Sequence, residues 1–229
     1  MNSDTLHLVT EAMNIRNQRE RAFREKYHAY LVEQKGHKGS LEEHLRLYAS
    51  LGGFGQPLSA DLIERFQPAI PFPAELVEFY REHGSLNGGN RLSRWTLLDL
   101  AEMERARASD YPYRQFHSLG LADMINYVWG NDRPEVDLDS GDAIFSREQL
   151  DHLNQNYQVV GFWTDIDAGD EAHYYIYYDR SGRFGLAYLH QDEWDIFDLL
   201  EESGARYSWD EVIVASLAKI EGPEDESED

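Results

Sequence analysis

The side chains of this 229-residue sequence that could do chemistry are mostly carboxylates, gathered in three runs in its second half. The run Asp137-Leu-Asp-Ser-Gly-Asp-Ala-Ile-Phe-Ser-Arg-Glu148 sets Asp137, Asp139 and Glu148 at positions 1, 3 and 12 of a calcium-loop spacing, with Ile144 at position 8. A calcium loop needs an oxygen ligand at position 5 and a glycine at position 6. Gly141 and Asp142 stand there instead, which puts the sharp turn in the wrong place, so the run reads as an acidic surface loop. The second run, Asp165-Ile-Asp-Ala-Gly-Asp170 followed by Glu171, has Ile176 at its twelfth position and reads as a hairpin loop. The third surrounds Trp194 with Asp192, Glu193, Asp195 and Asp198.

Other chemistries find little support. The nine histidines are scattered and form no HExxH pair, so no zinc hydrolase site is signalled. The absence of cysteine excludes a disulfide scaffold, thiolate zinc sites and a thiol nucleophile. No GxSxG, Walker or GxGxxG motif occurs, and Asn87-Gly-Gly-Asn90 reads as a turn. The expectation is a protein that is not an enzyme, with no catalytic residues, no metal and no cofactor.

Charge is more informative. Residues 1–108 carry 14 Lys/Arg against 15 Asp/Glu, whereas residues 109–229 carry 7 against 28. Self-repulsion of that size destabilises a compact state, and solubility alone would be served by acids spread evenly. A cationic partner accounts for the asymmetry; direct contact with nucleic acid does not, because the sign is wrong. Near Met1 no basic segment precedes an apolar run, and no stretch approaches the ~20 apolar residues of a membrane span. A cytoplasmic protein without membrane contact is expected.

The elements that would hold these groups follow from periodicity. A helical first third is expected, with Leu6, Val9 and Met13 on one face and Phe23, Tyr27, Tyr30 and Leu31 on another stretch, separated by the basic Arg16–Arg21 turns and ended by Gly36. Ser40-Leu-Glu-Glu43 has capping-box form and opens a second helix with Leu41, Leu45 and Tyr48 on one side, stopping near Gly52-Gly53. A short helix follows Ser59 with Leu62, Ile63 and Phe66 inward, and Pro73 starts another that Gly84 ends. Trp95–Met103 begins as strand and finishes as helix. Tyr157–Thr164, Ala172–Tyr178 and Arg183–Leu189 read as an antiparallel meander with one face on the core and one in water. Trp194–Leu200 fits a strand or a short helix. Ser208-Trp-Asp-Glu211 opens a last helix carrying Trp209, Ile213, Leu217 and Ile220.

Ile70-Pro-Phe-Pro-Ala-Glu-Leu-Val-Glu-Phe-Tyr-Arg-Glu-His-Gly84 resembles the opening motif of the SUKH superfamily, through Pro73, Leu76, Phe79, Tyr80 and Gly84. The sheet and the closing helix with Trp209 extend the resemblance over roughly residues 58–220. The sequence departs from the pattern at His83, in a long insertion before the meander, and in its N-terminal helices. The resemblance implies an α+β domain, an antiparallel sheet packed with helices, at residues 58–221. Before it lies an N-terminal helical extension, 1–57, and after it an acidic, disordered tail, 222–229. It also implies the work of an immunity protein, which neutralises a cognate bacterial toxin by binding it. A regulatory or scaffold module is the alternative, and the oligomeric state is open. The expected contact residues are Asp165, Asp167, Asp170, Glu171 and Asp179 with the rings of Tyr175 and Tyr177. Asp192, Glu193, Trp194 and Asp195 form a second group, and Asp137 and Asp139 a third.

Overall fold

The computed structural model describes residues 1–49, 51–66, 68–88, 95–108, 116–129, 145–164, 172–190 and 204–220. In chain order they form α1 (Ser3–Lys35), α2 (Leu41–Tyr48), β1 (Gly53–Phe54), α3 (Ala60–Phe66), α4 (Ala74–His83), β2 (Leu86–Asn87) and β3 (Trp95–Leu97). Then follow α5 (Leu100–Arg107), α6 (Leu121–Trp129), α7 (Arg147–Asn156), β4 (Tyr157–Thr164), β5 (Ala172–Asp179), β6 (Phe184–His190) and α8 (Trp209–Ile220). The strands make one antiparallel sheet in sequential order, β1 to β6, with helices packed on it, which is the expected α+β class.

The long strands are registered by local chemistry. Between β5 and β6 the Asp179 carboxylate accepts from the Ser181 N–H at 2.8 Å, and Gly182 takes a φ of 76° that other residues resist. That turn pairs Tyr178 with Phe184 and fixes every later pair out to Ala172 with His190. A bulge between Val159 and Gly161 interrupts the β4–β5 register, and the Val160 carbonyl accepts from the Leu98 N–H at 2.9 Å.

Six rings close a circuit that fastens α4 and α8 to the sheet. Phe79 of α4 lies 5.3 Å from Trp209 of α8, which lies 5.1 Å from Phe184 of β6. Phe184 meets Tyr178 of β5 at 6.0 Å, Tyr178 meets Phe72 at 6.4 Å, and Phe72 meets Tyr80 at 5.5 Å beside Phe79. The Tyr178 hydroxyl donates to the Ile70 carbonyl at 2.7 Å, so the proline connector is tied to the same seam. Ser208 and Glu211 cap α8 reciprocally, and those hydrogen bonds, backbone first, hold the Glu211 carboxyl below its usual range.

α1 is one continuous 33-residue helix, about 50 Å long at 1.5 Å per residue. Its first half belongs to the body. Val9, Ala12 and Met13 join the main core, and Asn17 exchanges two hydrogen bonds with Gly52 at 2.7 and 3.0 Å. β1, which also precedes residue 58, is an edge strand of the sheet, so the N-terminal segment is partly integral to the domain. Beyond Asn17, α1 runs on with α2 folded back against it. Leu41 and Tyr48 of the expected α2 face are exposed, and the buried residue there is His44. Its ring lies 5.2 Å from His28 and 6.4 Å from His37, with Tyr27 and Tyr48 on its other sides.

Two expectations need correction. The long insertion expected before the meander holds, among its described residues, the helices α6 and α7, the latter opened by a capping box of Ser146 and Gln149. Asp123 and Asn154 join them through two hydrogen bonds of 3.0 Å. The meander does not leave a wet face on its middle strand: Tyr175, Ile176, Tyr177 and Tyr178 are all fully buried.

Two outcomes follow. Gly84 caps α4 at φ 69°, where a Cβ would run into the Gln56 carbonyl, while Gly36 caps α1 at φ 64° with open space around it. Gly36→Ala is expected to cost about 1–2 kcal/mol, the left-handed penalty alone. Gly84→Ala adds a backbone clash and is expected to cost more in urea unfolding. The second concerns acid. Burial first, then the charges of His28, Arg24 and His37, push the His44 pKa down, and neither ring nitrogen has a protein partner. Burial likewise lowers His83, with Glu82 opposing. A histidine depressed in the folded state takes up protons on unfolding, so stability is full above about pH 6.5 and falls as pH drops below it. Thermal unfolding from about pH 7 to pH 5 is expected to show that loss, and His44→Phe to reduce it.

Candidate partner-binding site

Because the sheet is a sequential meander, position along the chain becomes position across the sheet. β1–β3 come from the nearly neutral half and β4–β6 from the acidic half. The long strands also give the sheet two ends of different character.

At one end stand Thr164, Ala172 and His190. Thr164 pairs with His173 and Ala172 with His190, so the three lie within about 10 Å, two interstrand spacings. From them depart residues 165–171 and 191–203, which together hold ten carboxylates and no Lys or Arg. Trp95 is paired with Trp163 at this end too, and residues 89–94, which precede it, add Arg91 and Arg94. Asp165, Asp167, Asp170, Glu171, Asp192, Glu193, Trp194 and Asp195 themselves lie outside the described residues, as do Asp137 and Asp139. What the fold supplies is their points of attachment: both flanks of residues 165–171 lie at this end, whereas residues 191–203 leave from His190 here and rejoin at Gly204, near the Phe184–Tyr207 bridge at the other end. The run containing Asp137 and Asp139 is strung between α6 and α7.

The platform at that end is stiff. Trp95, Trp163, Tyr174 and Tyr188 occupy one rung across four strands. Trp163 stacks on Tyr174 with centroids 4.2 Å apart and planes 4° off parallel, and Tyr174 meets Tyr188 at 4.5 Å. Cross-strand aromatic pairs of this kind contribute about 0.2–1 kcal/mol each and resist twisting. The sequence reading missed the ladder, although the Asp179–Gly182 turn already sets Tyr174 opposite Tyr188.

At the other end, roughly 24 Å away along β5, Asp179 serves the hairpin turn through Ser181. Asp179, expected beside Asp165, Asp167 and Asp170, stands at the opposite end of β5 from Thr164 and Ala172, the residues that flank those three in sequence. Three arginines lie near it, with Glu211 close to Arg183. Arg180 donates to Asn156 at 2.7 Å, Arg183 donates to the Arg206 carbonyl, and Arg206 sits 5.2 Å from the Tyr207 ring.

Tyr175 and Tyr177 were expected as surface anchors, and their full burial overturns that. Their partners on β6 are Ala187 and Gly185, small enough for rings to lie across them. A Cβ on Gly185 would stand 2.5 Å from the Tyr177 hydroxyl. Burial, with Tyr157 and Asp179 adding to it, pushes the Tyr177 phenol well above its usual range. Among the described residues no group of three or more His, Asp or Glu is placed to hold a metal ion, and no helix is long and apolar enough to cross a membrane. Comparison with family models, with curated proteins and with solved structures finds no match for this chain.

Since Tyr177 is a core residue, Tyr177→Ala is expected to lower stability by about 3–5 kcal/mol, the cost of emptying an aromatic site. Urea unfolding checks it.

Proposed function

We propose that this protein is an immunity-type inhibitor: a rigid α+β body that binds a cationic protein toxin in the cytoplasm and covers its working surface. The observation carrying the proposal is the concentration of acid around one hairpin: residues 165–171, flanked on both sides at the Thr164–Ala172 end of the sheet, hold four carboxylates and no Lys or Arg, and residues 191–203, which leave from His190 beside them, hold six more. A field so arranged draws a cationic partner in and orients it, raising the association rate more than the affinity. The aromatic ladder keeps the attachment points fixed, so less ordering entropy is lost on docking. The SUKH-like helix opening at Pro73 supports the same reading. Inhibition is by occlusion: where the toxin is a nuclease, carboxylates stand where substrate phosphates would, and no bond is made or broken.

The test is capture of a basic polypeptide from the source cell in low-salt buffer, followed by kinetics with the purified pair. Reversing Asp165, Asp167, Asp192 and Glu193 to Lys is expected to abolish capture, while Asp179→Lys, at the far end, leaves it intact. The wild-type association rate is expected to fall steeply between about 0.01 and 0.15 M salt, as the Debye length shrinks from ~30 to ~8 Å. Co-expression is expected to restore growth against the captured toxin and no other. A salt-insensitive rate, or binding unchanged by the four reversals, overturns the proposal. Capture without rescue identifies a scaffold module instead.

A further inference from the structure

The far half of α1 carries a surface that the body does not use. Val9, Ala12, Met13 and Arg16 face the body along one stripe, and the same stripe continues at i+3/i+4 spacing through Glu20, Phe23, Tyr27 and Tyr30. Glu20 is still buried, and from Phe23 to Tyr30 the stripe is exposed over about 10 Å of helix. Phe23, Tyr27 and Tyr30 are 56, 43 and 49% exposed, yet their rings stack in series at 6.3 Å. Tyr27 continues the patch to His44, and His44 to Tyr48, which is 51% exposed. Leu41 lies on the same side of α2, one turn before His44. A buried ion pair, Arg24 to Glu20 at 2.8 Å, and the hydrogen bond between His28 and the Gly39 carbonyl at 3.0 Å hold the hairpin in shape.

We infer that this face is covered by the same face of a second copy, the two hairpins pairing about a twofold axis as a four-helix bundle. Three observations select that occupant. At about 150–250 Å² per large ring, Phe23, Tyr27, Tyr30 and Tyr48 with Leu41 offer roughly 450 Å² of apolar surface. Two copies bring roughly 900 Å², and at the usual ~56–65% apolar share this corresponds to an interface of about 1,400–1,600 Å², the size of a stable specific complex. The other large exposed hydrophobics among the described residues, Leu8, Ile15, Val32, Leu47, Leu51 and Val214, are all aliphatic and offer no ring to stack on the patch, so the matching surface is the same patch on a second copy, an isologous contact. Charge points the same way. Residues 16–49 hold eight Lys/Arg against five Asp/Glu in a chain of net charge −22, so the hairpin is where two such chains repel least.

The full-length chain is examined by sedimentation velocity at low and at about 1 M salt, where the Debye length is ~3 Å. A concentration-dependent dimer is expected, and it tightens with salt as repulsion between the acidic bodies is screened. That response is opposite in sign to the one proposed for the cationic partner. The double substitution Tyr27→Glu with Tyr48→Glu, at exposed positions, is expected to leave the circular dichroism unchanged and to weaken the dimer about thirtyfold or more, the scale of losing a central aromatic anchor. Because the chain has no cysteine, Tyr30→Cys alone should give a disulfide-linked dimer on oxidation. A chain that stays monomeric at high concentration in both salts, or a dimer that survives the double substitution, overturns the inference.

Discussion

The closed ring circuit through Phe79, Trp209, Phe184, Tyr178, Phe72 and Tyr80 is the contact on which the remaining architecture depends. It joins two helices, a connector and two strands that lie far apart in sequence. Aromatic pairs add about 0.5–1.5 kcal/mol each beyond the area they bury, and a closed circuit leaves each ring little freedom to shift alone. With α4 and α8 pinned, β5 and β6 cannot slide, and the turn at Asp179–Gly182 then transmits one register to the far end of the sheet. The stiffness of the Trp163–Tyr174–Tyr188 ladder follows from that register.

The same constraint organises charge. A meander keeps chain neighbours adjacent, so an imbalance along the sequence cannot average out in three dimensions as it would in a fold with crossovers. It appears instead as a difference across the sheet, β1–β3 against β4–β6. The acidic half of the chain contrasts with a mildly cationic aromatic hairpin at residues 16–49. The two partners proposed above differ accordingly, one recognised by field and the other by apolar fit.

Much of this was legible beforehand where local chemistry decides. The Ser59 and Ser208 starts, the Gly36 and Gly84 stops and the bounds of β4 follow from capping, positive φ and β-branched runs, none of which needs a distant partner. α6 and α7 escaped notice because they lie among acidic residues that mask their periodicity, and because the signal at α7 is a single Ser-to-Gln box. β1 and β2 are two residues each, too short for any period to register. The choice of Tyr175 and Tyr177 as surface rings failed for a different reason. Alternation says which rings share a face, but whether that face is wet depends on what neighbouring strands and helices bring, and Gly185 and Ala187 made room to bury both.

The sequence by itself determined the class of fold, the order of the main elements and the lopsided distribution of acids, since each is set by short-range pattern or by composition. Only the tertiary structure decided that Asp179 and Thr164 stand at opposite ends of the sheet, that Tyr175 and Tyr177 are buried, and that the α1 stripe runs on, from Phe23, into solvent. Those outcomes depend on strand register and on where the core stops, which are properties of long-range packing and leave no mark in any window of a few residues.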